Sequence, residues 1–382
     1  MWRKTLAAKD TVANSSSPSH SQVPRVLSGM RPTGKLHLGN YMGALKNWVD
    51  LQNEVDSQGN PAYECYFFIA DFHALTTDYA DPSRIKQNTH DVALDFLAAG
   101  LDPAKSTIFV QSHVPQHAEL HLLLSMITPL SWLERVPTYK DQQEQLKEKD
   151  LATYGFLGYP LLMSSDILLY QPDFVPVGAD QVVHVEITRE IARRFNSMYR
   201  LPGSYTASIQ NAMAQPPPPD TLPEPKVLLT PSPKLPGTDG RKMSKSYNNT
   251  IDLTDPEPVI RQKLKTMVTD PARVRRTDPG EPDICPVGDL HKVFSSKETL
   301  AKVYDGCRTA GIGCIECKGW AADAILTQLA PIRELRNNYE NDPQKVKNIL
   351  RDGAKRATAR AEQTMTQVRS AMNLMTVAEL GE

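Results

Sequence analysis

The chain has 382 residues, a formal net charge of −1, and ordinary proportions of apolar and charged residues, at 40% and 23%. Such a chain can bury a large core, and its length predicts about two domains. The balanced charge excludes a global field that would attract nucleic acid, so RNA contacts would need local basic patches. No apolar run is long enough to span a bilayer, which favours a cytoplasmic protein that does not enter the membrane.

Residues 1–24 are predicted to form a disordered leader, because their Asn- and Ser-rich composition suits no packed core. They lack the apolar region of a secretory signal. A mitochondrial transit peptide is the weaker alternative, because the segment carries a single Arg before Val23.

Strand-like and helix-like segments alternate from about residue 25. Short apolar runs rich in β-branched and aromatic residues predict strands at 26–27, 63–70, 107–111 and 173–177. Amphipathic patterns predict helices at 41–55, 81–99 and 180–195. This alternation predicts an α/β fold with a Rossmann-like, doubly wound parallel sheet.

Three further segments depart from this alternation. Residues 117–170 lack strand signals and are interpreted as a helical insertion between the halves of the sheet. Residues 202–240 contain many prolines, which exclude helix and central strand and indicate an extended surface segment. Residues 255–382 are dominated by helical periodicity and predict a mostly α-helical C-terminal domain. Residues 25–254 would then form the first domain.

Two short motifs carry the chemistry. The sequence Gly-Met-Arg-Pro-Thr-Gly-Lys-Leu-His-Leu-Gly-Asn at 29–40 follows an apolar run and precedes an amphipathic stretch, a geometry that offers free backbone N–H groups to phosphate. The sequence Lys-Met-Ser-Lys-Ser at 242–246 predicts a mobile loop with two lysines that can flank a triphosphate. Each motif is weak alone, because most lysine–serine loops are solvated surface. In this order they resemble the HIGH and KMSKS elements of class I aminoacyl-tRNA synthetases.

This resemblance implies amino-acid activation, in which a substrate carboxylate attacks the α-phosphorus of ATP and pyrophosphate leaves. The protein then needs no nucleophile of its own and must align the reactants and stabilise developing charge. His37 would donate to an α-phosphate oxygen, and Lys242 and Lys245 would pair with the β and γ oxygens, with Mg²⁺ accompanying the nucleotide. Leu38 and Asn40 depart from the strict HIGH sequence, but they keep an apolar side chain and a hydrogen-bond donor.

Further segments narrow the resemblance to the bacterial tryptophanyl-tRNA synthetases, over residues 25 to about 376. They are Gly-Met-Arg-Pro-Thr-Gly at 29–34, Tyr-Pro-Leu-Leu-Met-Ser-Ser-Asp-Ile-Leu-Leu-Tyr at 159–170, Val-Pro-Val-Gly-Ala-Asp-Gln at 175–181 and Gly-Arg-Lys-Met-Ser-Lys-Ser at 240–246. Arg31, where many members have Gln, resembles a second bacterial subgroup. The implied ATP site comprises Arg31, Pro32, Thr33, Gly39, Asn40, Gly178, Ala179, Asp180, Gln181, Leu235, Lys242, Met243, Ser244, Lys245 and Ser246. The implied tryptophan site comprises Gly29, His73, Tyr159, Met163, Asp166, Val175, Val177 and Gln181.

Asp166 gives a physical reason to expect tryptophan. Indole has one N–H donor and no acceptor, so a selective site needs one buried acceptor in an apolar slot. Asp166 stands among Leu, Met and Ile residues and is interpreted as such a lone carboxylate. The alternative is an Asp that pairs with a nearby Arg or with backbone amides.

Four of the five cysteines, Cys285, Cys307, Cys314 and Cys317, fall within one short part of the chain. Clustered thiols in a cytosolic protein suggest a metal rather than disulfides. The spacing resembles the cysteine motif of those tryptophanyl-tRNA synthetases that bind a [4Fe-4S] cluster, with one residue fewer in the first loop. Zn²⁺ and unligated thiols are the alternatives. Cys65 is interpreted as packing in a strand.

The sequence therefore predicts an enzyme that joins L-tryptophan to tRNA(Trp) through tryptophanyl-adenylate. Members of the family are homodimers, which implies a homodimer here, with residues 113–132 as the candidate interface. A tyrosyl enzyme is the nearest alternative, and Asp166 and the cysteines argue against it. A non-aminoacylating paralogue that binds RNA or a partner is disfavoured by the intact pyrophosphate ligands. A small-molecule nucleotidylyltransferase would not need the long helical C-terminal region.

Overall fold

The computed structural model describes residues 23–137, 139–140, 150–199, 220–230, 235–375 and 380. The predicted leader, apart from its last two residues, and most of the proline-rich segment lie outside the described residues.

A parallel sheet forms the centre of the fold, with five strands in the part of the chain that the structure describes. The strands are β1 (Arg25–Met30), β2 (Glu64–Ile69), β3 (Ser106–Val110), β4 (Phe174–Val177) and β5 (Lys226–Leu229). Their order across the sheet is β3-β2-β1-β4-β5, and every pairing is parallel. The predicted doubly wound sheet is therefore confirmed. Strand β5 was not predicted, and it lies at the sheet edge, where the proline-rich context on either side is tolerated.

Helices cover both faces of the sheet and form the C-terminal region. Their bounds are α1 (Leu38–Asn40), α2 (Lys46–Asn53), α3 (Asp71–Asp78), α4 (Ile85–Ala98), α5 (Gln116–Ser125), α6 (Leu130–Glu134), α7 (Tyr154–Leu157), α8 (Tyr159–Tyr170), α9 (Val182–Met198), α10 (Glu257–Thr266), α11 (Pro286–Phe294), α12 (Lys297–Arg308), α13 (Cys314–Glu340) and α14 (Pro343–Ala371). A π-helical turn, Tyr41–Leu45, joins α1 to α2. None of the described helices is both long and apolar enough to cross a membrane.

Two apolar cores lie on opposite faces of the sheet. Along β2 the side chains alternate between them, because successive residues of a strand point to opposite faces. Phe67 and Ile69 join one core, whereas Tyr66 and Phe68 join the other. A parallel sheet buried on both faces explains why the β2 sequence is an unbroken apolar run.

The crevice that should hold a ligand follows from the strand order. The chain winds outward from β1 to one side through β2 and β3, and to the other side through β4 and β5. In such sheets ligands bind beyond the carboxyl ends of the strands at this switch point, here between β1 and β4. The residues that follow these two strands are those of the 29–40 motif and of the 175–181 segment.

The long C-terminal helices pack back onto the sheet. Helix α14 lies against β3, and a Cβ on Gly353 would stand 1.8 Å from the carbonyl oxygen of Ile108, so only glycine fits this close approach. Helix α13 packs against α4, where Arg336 pairs with Asp91 and Asp95. The C-terminal region is thus tied to the same helix layer that supports the 29–40 turn.

Candidate active site

The early motif forms a turn and a capped helix start after β1. Gly34 has φ 105°, a left-handed conformation that favours glycine. His37 is the N-cap of α1: its Nδ1 accepts from the Asn40 N–H at 3.3 Å, and Asn40 Oδ1 accepts from the His37 N–H at 3.2 Å. A Cβ on Gly39 would stand 2.9 Å from the imidazole. This reciprocal cap fixes the imidazole over the helix end and leaves Nε2 as the nitrogen that carries the proton.

The late motif is brought to the early one by a short antiparallel pairing. The Leu38 N–H donates to the Ile251 carbonyl at 2.9 Å, and the Leu253 N–H donates to the Leu36 carbonyl at 2.9 Å. Met243, which is 4% exposed, anchors the loop in the core beside Leu36 and Leu38. The pairing is thus a backbone link between two motifs that are far apart in sequence.

Lys245 reaches directly onto the early turn. Its Nζ donates to the Thr33 carbonyl at 3.0 Å and lies 3.4 Å from where a Cβ on Gly34 would be. Lys242 and Ser246 are exposed, and Leu235 is buried and accepts the Met243 N–H at 3.0 Å.

Asn249, which the sequence analysis missed, organises the lysine loop from inside. Its Oδ1 accepts the Ser244 N–H at 2.8 Å, and its Nδ2 donates to Asp239 at 2.7 Å and to the Lys242 carbonyl at 3.2 Å. A Cβ on Gly237 would stand 2.2 Å from the Asn249 amide, so this glycine makes room for it. No pattern in the sequence distinguishes Asn249 from a surface asparagine.

The electrostatics of the turn favour an uncharged imidazole beside a desolvated ammonium. Burial, with a smaller contribution from Lys245, lowers the pKa of His37 to about 4. Burial also lowers the pKa of Lys245, while the carboxylates of Asp252, Asp95 and Asp91 oppose that shift. At neutral pH His37 is therefore a neutral donor, and Lys245 supplies the positive charge.

Arg31 lies on the α3 side of the crevice. Its guanidinium donates to Thr77 Oγ1 at 2.5 Å. Burial lowers the pKa of Arg31, whereas Asp78 and Tyr159 raise it. The Arg31 side chain therefore lies near Tyr159, a residue of the predicted amino-acid site, and its assignment to ATP remains a prediction.

Asp166 is buried in a network, so the description of it as a lone carboxylate was wrong. Its exposure is 1%. The Gln111 amide donates to both carboxylate oxygens at 2.8 and 2.9 Å, His117 Nδ1 donates to Oδ1 at 2.7 Å, and His73 Nε2 donates to Oδ2 at 2.9 Å. Burial alone would raise the pKa of Asp166, but His117 and His73 outweigh it and lower the pKa to about 2. The carboxylate is thus ionised, and its hydrogen-bond partners among the described residues are two histidines and a glutamine rather than an Arg or backbone amides.

The remaining predicted tryptophan residues named here lie on α8, β4 and β1. Tyr159, Val175 and Val177 are buried, and Met163 is half-buried on the same helix as Asp166. A Cβ on Gly29 would stand 2.5 Å from the Phe68 ring, so this glycine lets the ring pack against β1.

A short segment after β4 completes the crevice. Residues Ala179–Gln181 form a 3₁₀ turn that leads into α9, and the Gln181 amide donates to Asp180 at 3.2 Å. His184, which the sequence analysis also missed, packs against Tyr159 with the two rings tilted and their centroids 5.7 Å apart. Burial and His73 lower its pKa to about 4, while Asp180 opposes this. His184 therefore lies between the residues predicted to bind ATP and those predicted to bind tryptophan.

The four clustered cysteines are unbridged and close enough to affect one another. Burial raises the pKa of Cys317 to about 12, and the thiols of Cys285, Cys307 and Cys314 add to this shift. Arg273 donates to Cys307 Sγ at 3.6 Å. In the described parts of the chain, no three His, Cys, Asp or Glu side chains are arranged to hold a single metal ion. Cys65 is buried in β2, as expected for a packing residue.

Known proteins share this sequence and fold over almost their full lengths. Residues 20–330 match the model of the family described as tRNA synthetases class I (W and Y). The tryptophan–tRNA ligase of Ralstonia nicotianae is 49% identical over 401 residues, which cover 92% of this chain and 98% of the relative. The tryptophan–tRNA ligase of Thermotoga maritima is 51% identical over 352 residues, which cover 92% and 99%.

Solved structures of tryptophanyl-tRNA synthetases have the same fold. The crystal structure of Campylobacter jejuni tryptophanyl-tRNA synthetase complexed with ADP and tryptophan superposes with a TM-score of 0.77 at 33% identity, covering 92% of this chain and 100% of that one. The sheet order, the helical C-terminal region and the sequence matches all agree. This chain therefore belongs to the class I tryptophanyl-tRNA synthetases, and its activity is that of a tryptophan–tRNA ligase.

Proposed function

We propose that the enzyme forms tryptophanyl-adenylate in the crevice between β1 and β4 and then transfers the tryptophanyl group to tRNA(Trp). The observation that carries this assignment of the site is the contact between Lys245 and the Thr33 carbonyl, beside the capped His37. A triphosphate lying along the early turn meets backbone amides, a neutral imidazole and an ammonium in one place. ATP and Mg²⁺ are the general requirements of the reaction.

In the proposed mechanism the protein positions the reactants and stabilises charge. The Nε2–H of His37 donates to an oxygen of the α-phosphate as the tryptophan carboxylate attacks. Lys245, and Lys242 once the loop closes, neutralise the charge that builds on pyrophosphate. Desolvated charges act more strongly than solvated ones, so the burial of Lys245 increases its effect on the transition state.

In the proposed amino-acid site, Asp166 accepts the indole N–H. Its low pKa and 1% exposure support this role, because an ionised, dry acceptor rejects aromatic side chains that lack a donor. Val175, Val177 and Met163 would line the ring, and Tyr159 and Gln181 would hold the amino group. Gly178, Asp180 and Gln181 would face the ribose and phosphates.

We also propose that the four clustered cysteines bind a [4Fe-4S] cluster. Two features support it: the thiols influence one another's pKa, and a buried guanidinium, Arg273, donates to one of them, which suits an anionic group. A cluster is larger than one metal ion and requires its thiolates farther apart, whereas a zinc site would need a closer arrangement. Bound there, the cluster would pin the loop-rich structure before α11. Anaerobic purification with iron and sulfide analysis tests this, and an iron-free, colourless protein would refute it.

The proposal extends to the assembly of the enzyme. Three exposed apolar side chains support a homodimer through residues 113–132: Leu122 on α5, Met126 directly after it, and Leu130 at the start of α6. Light scattering of the purified protein tests it, and a monomer at micromolar concentration would contradict it. Because its substrates include ATP and tRNA(Trp), we place the enzyme in the cytoplasm, with residues 255–382 as the anticodon-binding domain and 25–254 as the catalytic domain.

The direct test of the function is amino-acid-dependent exchange of pyrophosphate into ATP, followed by charging of tRNA(Trp). Exchange should depend on L-tryptophan and not on L-tyrosine, and tRNA(Trp) should be charged. Exchange that follows tyrosine would support the tyrosyl alternative. Absence of both exchange and charging would support a non-aminoacylating paralogue.

A further inference from the structure

The hydrogen-bond network of Asp166 includes Tyr170, which does not contact Asp166 itself but bonds to its partner His117. His117 uses both ring nitrogens: Nδ1 donates to Asp166 at 2.7 Å, and Nε2 accepts from the Tyr170 hydroxyl at 2.9 Å. Tyr170 lies one helical turn after Asp166 on α8. Both His117 and Tyr170 have 0% exposure. The three side chains therefore form a closed, dry chain of hydrogen bonds.

Each member of this chain is held in one orientation. His117 Nδ1 lies 2.7 Å from an oxygen of the ionised Asp166, which can only accept, so the proton of the neutral imidazole stands on Nδ1. Nε2 then carries the lone pair and accepts from the Tyr170 hydroxyl, which stays protonated because burial raises its pKa well above the usual value. The rings of Phe68 and Phe109 pack around His117 at centroid distances of 5.8 and 6.2 Å. In the part of the chain that the structure describes, the His117 ring is hydrogen-bonded only to Asp166 and Tyr170.

Gln111 is fixed in the same way from the other side. Its Oε1 accepts the Phe72 N–H at 3.0 Å, which forces its NH₂ group toward Asp166. Gln111 and His117 together occupy three of the roughly four acceptor positions of the carboxylate. His73 also donates to Oδ2, but its side chain is 10% exposed whereas that of His117 is 0% exposed, so the indole N–H would reach the carboxylate by replacing the His73 contact. Asp166 therefore meets the crevice from the side of His73.

We propose that Tyr170 and His117 are positioning residues for tryptophan selectivity: they lock the tautomer that keeps Asp166 ionised and aimed at the indole N–H. The inference rests on the proposed role of Asp166 as the reader of that N–H. Without the Tyr170 hydroxyl, His117 can place its proton on Nε2 and turn a lone pair toward the carboxylate. The carboxylate then loses a donor, and its orientation toward the substrate is no longer fixed.

The test compares L-tryptophan with L-3-benzothienylalanine, in which sulfur replaces the indole N–H. The readout is the ratio of kcat/KM values for the two substrates in pyrophosphate exchange. Tyr170→Phe should lower this ratio about threefold to tenfold, the factor carried by one hydrogen bond of ordinary net strength. His117→Asn, which keeps a donor near the Nδ1 position, should retain more selectivity than His117→Leu. A purely structural role would slow both substrates equally and leave the ratio unchanged.

Tyr66→Phe is the matched control. Tyr66 packs against Tyr170 with ring centroids 5.3 Å apart, but its hydroxyl donates to Glu64 at 2.8 Å and is outside the chain of hydrogen bonds. Its ratio should equal that of the wild type. An unchanged ratio in Tyr170→Phe, together with a reduced ratio in Asp166→Asn, would overturn the positioning role and leave Asp166 as the reader. An unchanged ratio in Asp166→Asn would overturn the reader, and the present inference with it.

A second measurement detects the tautomer directly in the wild-type protein. Nitrogen-15 NMR of histidine-labelled enzyme should show a proton on Nδ1 of His117, assigned by its absence in His117→Asn. A proton on Nε2 alone would refute the proposed tautomer.

Discussion

Replacing Arg336 with methionine removes a buried cation on which three carboxylates depend. The Arg336 side chain is 5% exposed and pairs with Asp95, with Asp91 at 3.1 Å and with Glu340 at 3.1 Å. Asp95 is 1% exposed and also accepts the Leu36 N–H at 2.8 Å, one residue before His37. Methionine keeps the length of the side chain but leaves Asp95 without its counter-charge. Breaking a buried pair in this way costs about 3–5 kcal/mol of stability.

The loss should depend on pH in a direction that the structure fixes. Burial raises the pKa of Asp95 to about 6, although Arg336 and the Leu36 N–H oppose this. A carboxyl whose folded-state pKa is raised favours folding below its unfolded pKa of about 3.9, and this contribution is lost as the pH rises through 6. Without Arg336 the folded-state pKa rises further, so the ionised carboxylate is costlier still. The difference between Arg336→Met and wild type should therefore be larger at pH 8 than at pH 5.

The assay is urea unfolding followed by circular dichroism at both pH values, with pyrophosphate exchange at varied ATP. Arg261→Met is the control, because Arg261 pairs with Glu257 and Asp323 at the surface and should cost little. The double variant Arg336→Met with Asp95→Asn should regain stability, since the Asn oxygen still accepts the Leu36 N–H. A loss no larger than that of Arg261→Met at both pH values would refute the reasoning.

Three further predictions concern the nucleotide side of the crevice. Lys245→Ala should lower the rate of pyrophosphate exchange about 100-fold or more, because the lysine acts on charge in the transition state. The Kd for tryptophan, measured by calorimetry, should stay within about twofold, and equal losses in rate and affinity would contradict that role. Because the pKa of His37 is lowered to about 4, the imidazole stays neutral down to that pH. The pH–rate profile of exchange should therefore show no limb from His37 near the ordinary histidine pKa of about 6.5. A limb there that disappears in His37→Asn would contradict the lowered pKa. Gly237→Ala should raise the KM for ATP, because the new Cβ would displace Asn249 and with it the lysine loop; an unchanged KM would show that Asn249 does not set the loop.

The sequence was sufficient to predict four strands of the sheet and the two motifs, because these depend on local patterns of residues. Strands β1 to β4 are short apolar runs, and the cap at His37 follows from a turn and a helix start within a dozen residues. Strand β5 was missed because it has four residues within a proline-rich context and owes its place to pairing with β4.

The side-chain partners could not be predicted in the same way. Asp166 lies 93 residues from His73 and 49 from His117, so its network depends on how α3, α5 and α8 meet. Likewise, Lys242 and Lys245 belong to one motif, yet one is exposed and the other reaches the early turn. Which side chain of a motif is exposed and which is buried depends on the tertiary structure.

The antiparallel pairing of residues 36–38 with 251–253 has a consequence for folding during synthesis on the ribosome. Translation runs from the N-terminus, so the early turn leaves the exit tunnel long before its backbone partner exists. Until residues 251–253 have emerged, the Leu38 N–H and the Leu36 carbonyl lack these hydrogen-bond partners. The ion pair of Asp95 with Arg336 forms later still. During most of synthesis the lysine loop is therefore missing from the nucleotide site, and the early strands must be held by their own backbone pairing and apolar packing.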